Sequence, residues 1–150
     1  MKGPVFLLLI GSTKQKTVLN GLARQIGQFA MGLQNSQPAP VVSLDNSYQM
    51  KDIEQVYIKT FKTEKKPVLV LENLEQIPSE IAMVFHQFAN NEDSRVASAF
   101  SVATLTHSHA NFVVKSSITM RDTSTFSSKC LNELWKTSLS QDDLECLVNR

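Results

Sequence analysis

Apolar residues along this chain fall into two kinds of segment. Some form short unbroken runs, and others recur every three or four positions. Val5–Ile10 (VFLLLI) and Val68–Leu71 (VLVL) are of the first kind, and such runs predict strands covered on both faces. Val41–Leu44 and Ala97–Thr106 predict two more strands, the second rich in small and β-branched residues. Of the second kind is Thr17–Leu33, where Val18, Leu22, Ile26, Phe29 and Leu33 trace one stripe of a helix, with Thr17 as its N-cap. Asp52–Phe61 repeats the pattern with Ile53, Val56, Tyr57 and Phe61 until TEKKP breaks it, and Ser79 opens a further helix through Ile81, Val84, Phe85 and Phe88. The stretch after His107 is least legible; a short helix is expected around Ala110–Ser116. A helix at Phe126–Ser138 follows, with Cys130, Leu131, Leu134 and Trp135 on one side, and then a last strand at Leu144–Val148. Gln34–Pro40 reads as a loop by composition. Apolar strands alternating with amphipathic helices predict a three-layer α/β domain around a mainly parallel, five-stranded sheet. No linker, repeat or low-complexity segment divides residues 1–150, so one domain fills the chain.

Composition changes this picture little. The chain has 150 residues, 42% of them hydrophobic and 19% charged, with 15 basic and 14 acidic side chains and a net charge of +1. That balance, without a dominant basic block, points neither to nucleic acid nor to an anionic membrane surface. Val5–Ile10 is far too short to span a bilayer, and Lys2 before it is not followed by a convincing cleavage site. Cys130 and Cys146 have no metal-type spacing, nor do His86, His107 and His109 complete a zinc pattern with them; neither a metal nor a cofactor is expected. A disulfide between the two cysteines requires an oxidising compartment.

The chemistry worth testing sits at the ends of the two apolar runs. LLLIGSTKQKT (7–17) has the outline of a phosphate-binding loop, a strand turning at a glycine toward a Lys-Thr pair. A working loop, G-x-x-x-x-G-K-[ST], needs a second glycine before the lysine because the backbone must approach the phosphates closely. Here that position holds Gln15, and only four residues separate Gly11 from Lys16. Aligning on Gly11 puts Lys16 at the second glycine, and aligning on Lys16-Thr17 puts Ile10 at the first, so either register fails. The second apolar run ends in Glu72-Asn73, where an ATPase has a metal-positioning acid followed by a water-activating one. Glu72 retains the chemistry to reach a metal, but Asn73 cannot take a proton from water. Gly11, Gln15, Lys16, Thr17, Glu72 and Asn73 are therefore expected to form a degenerate nucleotide site. No G-x-S-x-G elbow or other nucleophile–base set offers an alternative chemistry, and His107 and His109 read as loop residues beyond a strand end.

Two later stretches carry a family resemblance. LENLEQIPSEIAMVFHQFANNEDSRVASAFSVATL (71–105) resembles the luminal domains of the torsin cofactors, lamina-associated polypeptide one and its endoplasmic-reticulum relative. The correspondence runs through the Leu71-Glu72-Asn73-Leu74 turn with Pro78, paired Phe85 and Phe88, the Asn91-Glu92-Asp93 loop and the Phe100–Leu105 strand. CLNELWKTS (130–138) is similar to that family's Leu-Trp helix, and FLLLIG to its first strand. The resemblance implies an AAA+-like domain of P-loop type that lacks the small C-terminal lid and does not itself bind nucleotide or act as an enzyme. It further implies a partner, a torsin-type AAA+ ATPase in its ATP-bound state, whose hydrolysis the domain regulates or stimulates across the interface. A transmembrane helix preceding Met1, and a location in the endoplasmic-reticulum lumen or perinuclear space, are likewise implied. Membrane contact is expected only through that helix. By the same resemblance Trp135, Lys136 and Thr137 face the partner. The family's arginine finger aligns with Thr137, while Lys136 lies about 100° away round a helix and lacks the planar fork of arginine. Two other readings stay open: a weak divergent ATPase using Lys16 and Glu72, and an α/β scaffold whose partner is unrelated to ATP.

Overall fold

A computed structural model of the chain describes residues 5–32, 37–78, 81 and 99–107. These form a four-stranded, wholly parallel sheet in the order β1-β4-β3-β2. The strands are β1 (Val5–Ser12), β2 (Val41–Ser43), β3 (Val68–Glu72) and β4 (Phe100–His107). The expected fifth strand at 144–148 and the helices opened by Ser79 and spanning 126–138 lie outside the described residues. Among the described residues two helices connect strands: α1 (Lys16–Met31), entered through a 3₁₀ turn at Thr13–Gln15, joins β1 to β2, and α2 (Met50–Tyr57) joins β2 to β3. The path from β1 crosses to the far edge of the sheet, and the path from β2 to β3 steps back. Crossovers of one hand that run in opposite directions must lie on opposite faces.

The strand alternation confirms this arrangement. Val68, Val70 and Val102 pack with Ala23 and Met31 beneath α1. Leu69, Leu71, Ala103 and Leu105 pack with Ile53 and Tyr57 beneath α2. Every residue of β3 is buried, as its unbroken apolar run requires of an inner strand with a helix on each side.

Helix α1 differs from its sequence expectation. Val18, Leu22 and Phe29, placed on the buried stripe by their spacing, are exposed, Phe29 by 79%. Ile26 does pack against the sheet, but the face turned inward is otherwise small: Ala23, Gly27 and, at its end, Met31. The reason is close approach. A Cβ on Gly27 would stand 2.4 Å from Cγ2 of Val70, so α1 rests on β3 through a bare backbone surface. Thr17 is not the N-cap either. The capping box belongs to the preceding 3₁₀ turn, between Ser12 and Gln15, and Thr17 falls inside the first turn of α1.

Helix α2 begins at Met50, with Asp52 accepting the Gln49 N–H at 2.8 Å, and runs on into a π-helical turn at Ile58–Thr63. Tyr57 is buried there with its ring 5.5 Å from that of Phe61, and its hydroxyl donates to Ser101 Oγ at 3.2 Å. Burial pushes its phenol above the ordinary range, so it stays a neutral donor.

Candidate functional site

In a parallel sheet the loops after the strands gather at one end, which is where α/β domains place their sites. All six residues of the expected degenerate site lie at this end, on the corner after β1 and the end of β3. β4 runs between the two strands that carry them. Each of the two motifs is occupied by its own protein.

At the corner after β1, Gly11 is buried; a Cβ there would press on the Leu19 side chain at 3.3 Å and meet Gln15 Oε1 at 3.5 Å. The Gln15 carboxamide oxygen accepts the backbone N–H of Ser12 at 3.2 Å and also its hydroxyl at 3.2 Å. In a phosphate loop, backbone N–H groups at this corner face the anion. Here the Ser12 donor is taken by the very residue that replaces the second glycine. Lys16, the first residue of α1, points its ammonium toward Glu75 at 3.6 Å, and Glu75 also accepts from the Thr106 backbone N–H and hydroxyl at 3.1 and 2.9 Å. Thr17 is exposed, and its side chain makes no hydrogen bond among the described residues.

The acidic end of β3 is equally engaged. Glu72 is 2% exposed, and both its oxygens are held by Arg24 of α1, Nε to Oε1 at 2.5 Å and Nη2 to Oε2 at 3.0 Å. Ser43 Oγ adds a third bond to Oε2 at 3.0 Å. The Arg24 hydrogen bonds, helped by Ser43 and the guanidinium charge, outweigh desolvation and hold the Glu72 carboxyl below the ordinary carboxylate range. A metal could reach this acid only by displacing Arg24. Asn73 takes a left-handed conformation, φ +66°, in which its N–H donates to Thr104 Oγ1 at 3.1 Å. Asn20 Nδ2 donates to Asn73 Oδ1 at 3.3 Å, and Thr104 Oγ1 donates back to Asn20 Oδ1 at 2.6 Å.

These bonds form a single row along α1. Lys16, Asn20, Arg24 and Gln28 stand four residues apart and so share one side of the helix. In turn they reach Glu75, the Asn73–Thr104 pair, Glu72 and the Ala39 N–H, the last at 3.0 Å from Gln28 Oε1. Asn20, Arg24, Ser43, Glu75 and Thr104 were not among the residues expected from sequence. The four-residue repeat of polar side chains was visible, but it has the form of any solvated helix face.

The Glu72 carboxyl titrates lower folded than unfolded, so its stabilising effect is complete above the unfolded value of about 4.3 and fades as pH falls through the lower folded value. The thermal midpoint is therefore expected to be level from neutral pH to about 5 and to fall below about 4. Glu72→Gln, already less stable at neutral pH, should show a shallower acid limb in the same melts.

Among the described residues, no group of three or more His, Cys, Asp or Glu side chains could hold a metal ion, and no helix is long and apolar enough to cross a membrane. His107 closes β4 opposite Ser12 of β1. Trp135, Lys136, Thr137, His86, His109, Cys130 and Cys146 lie outside the described residues. Neither a scan against models of known protein families nor a search of curated proteins finds a match to the chain.

Proposed function

We propose that this domain is a non-catalytic, AAA+-like regulatory partner of a torsin-type ATPase: it does not bind nucleotide itself but engages the partner's ATP-bound state and promotes hydrolysis there. The observation that carries the first half of this reading is the double occupation of the nucleotide site. Gln15 takes the Ser12 N–H at the loop, and Arg24 takes both oxygens of Glu72. Binding ATP in the manner of a P-loop enzyme would require both contacts to break, leaving Glu72 buried without its counter-charge. The position of β4 between β1 and β3 supports the P-loop-type reading, because AAA+ domains separate the loop-bearing strand from the acid-bearing strand in this way. The torsin assignment rests on the resemblance of residues 71–105 and 130–138. Trp135, Lys136 and Thr137 are its proposed contact residues, in a membrane-anchored protein of the endoplasmic-reticulum lumen or perinuclear space.

Isothermal titration separates this reading from its rivals. The isolated domain should give no heat with ATP and magnesium, and saturable binding to a torsin trapped with ATP. Heat with ATP alone would make the chain a divergent ATPase. Silence in both titrations would leave an α/β scaffold with an unrelated partner. Lys136→Ala should reduce stimulation of the torsin if that lysine supplies the charge of the missing arginine; unchanged stimulation would exclude that role.

A further inference from the structure

The opposite edge of the sheet, where the parallel strands begin, carries a feature that the balanced overall charge conceals. Val5 N–H donates to the Ala99 carbonyl at 2.8 Å, and Phe100 N–H to the Pro67 carbonyl at 3.0 Å, so the starts of β1, β4 and β3 lie level. Into this edge the segment 58–67 brings Lys59, Lys62, Lys65 and Lys66 against a single acid, Glu64. Lys59 pairs with Glu64 at 3.9 Å, and the Lys66 ammonium donates to the Gln37 side chain. Lys62 and Lys65 are exposed and have no ion-pair partner among the described residues.

The backbone here is unusual as well. The π-helical turn closes through Glu64 N–H to the Lys59 carbonyl at 2.8 Å, and Lys66 N–H reaches the Thr60 carbonyl at 2.9 Å. Between them Lys65 sits at φ +52°, where a chain leaving a helix usually carries glycine. A lysine thus stands where the backbone favours a residue with no side chain.

The chemistry of the segment narrows its partner. It has no arginine to grip a phosphate bidentately, and its one aromatic residue, Phe61, is half-buried against the core rather than offered for base stacking. Lysine ammoniums are compact point charges on long flexible stems, suited to a laterally continuous anionic layer rather than to one shaped ligand. We propose that this edge, with Lys62 and Lys65 at its centre, is a docking surface for an anionic lipid bilayer. The proposal does not depend on the torsin reading.

The test is co-sedimentation of the chain with phosphatidylcholine vesicles, with and without phosphatidylserine, at low and high salt. Binding should require phosphatidylserine and weaken with salt. Each lysine near such a surface changes partitioning about fivefold, so Lys62→Gln combined with Lys65→Gly should bind about 25-fold more weakly. Glycine adopts the Lys65 conformation readily, which keeps the variant folded. Lys14→Gln, an exposed lysine at the other end of the sheet, should bind as the unaltered chain does. The proposal is overturned if phosphatidylserine vesicles do not sediment the chain, if Lys14→Gln loses as much as the double variant, or if soluble polyglutamate or single-stranded DNA binds more tightly than the vesicles.

Discussion

Gly27→Ala is expected to destabilise the domain, although alanine is the better helix former. In an unobstructed helix interior that exchange gains about 1 kcal/mol. At Gly27 the new methyl would stand 2.4 Å from Val70 Cγ2, with Ala39 and Val68 close behind at 3.5 and 3.6 Å. Val70 cannot give way. It is fully buried in the inner strand, and its β-branched side chain has little rotamer freedom. Overpacking of this kind costs about 1–3 kcal/mol. Because the contact is shorter than any real Cβ contact, the upper part of that range applies, and the net loss should be about 1–2 kcal/mol after the helix gain.

Gly21, in the same helix, has nothing within 4 Å of its notional Cβ, so Gly21→Ala should stabilise by about 1 kcal/mol. Urea denaturation of the two variants should therefore shift in opposite directions, and Val70→Ala should recover part of what Gly27→Ala loses. A neutral or stabilising Gly27→Ala would mean that α1 stands further from β3, and the contacts of its polar row would then be wrong too.

That close approach explains which parts of the molecule could be read from sequence. Val68–Leu71 was legible as a buried strand because an unbroken apolar run has few alternative homes in an α/β domain; Val5–Ile10 is a strand as well, but it stands at the edge of the described sheet, only partly covered and with Leu7 exposed. The face of α1 was not legible, because the large apolar residues carry the helical spacing while small ones make the contact. Val18, Leu22 and Phe29 have helical spacing, yet the buried contact is made by Ala23 and Gly27, whose small size sets the packing distance. Periodicity reports hydrophobic volume and is blind to a helix that docks through what it lacks. At the site, the absence of the second glycine was legible, and so was the acid ending β3. What Gln15 and Glu72 do instead was not, because the partner of Glu72 is 48 residues away and Gln15 turns back on a backbone donor. The six positions could be named from sequence, but the residues they contact, Asn20, Arg24, Ser43, Glu75 and Thr104, are marked by no nucleotide motif.

The Arg24–Glu72 pair is the second place where a large effect is expected, and its size depends on whether one partner is removed or both. Glu72 is buried, whereas the Arg24 side chain is 58% exposed, so the two members contribute unequally. Arg24→Met leaves a buried carboxylate with only Ser43 as a donor, and Glu72 must then either stay charged at a desolvation cost or take up a proton. The variant should melt several degrees below the unaltered chain, with part of the loss recovered as pH is lowered toward the now raised carboxyl value. Converting both residues, Arg24→Met with Glu72→Leu, removes the orphaned charge and should be more stable than Arg24→Met alone, because replacing a whole buried pair with apolar groups is far milder than breaking it. If the double variant is the less stable one, Glu72 is holding Ser43 and the end of β2 rather than being neutralised by Arg24. The same single variant also probes function. Arg24→Met frees Glu72 toward the sheet's C-terminal end but leaves Gln15 on the Ser12 N–H and Lys16 on Glu75, so ATP with magnesium should still give no heat. ATP binding gained by this one substitution would identify Arg24 as the sole lock on a working site and turn the proposed regulator into a latched ATPase.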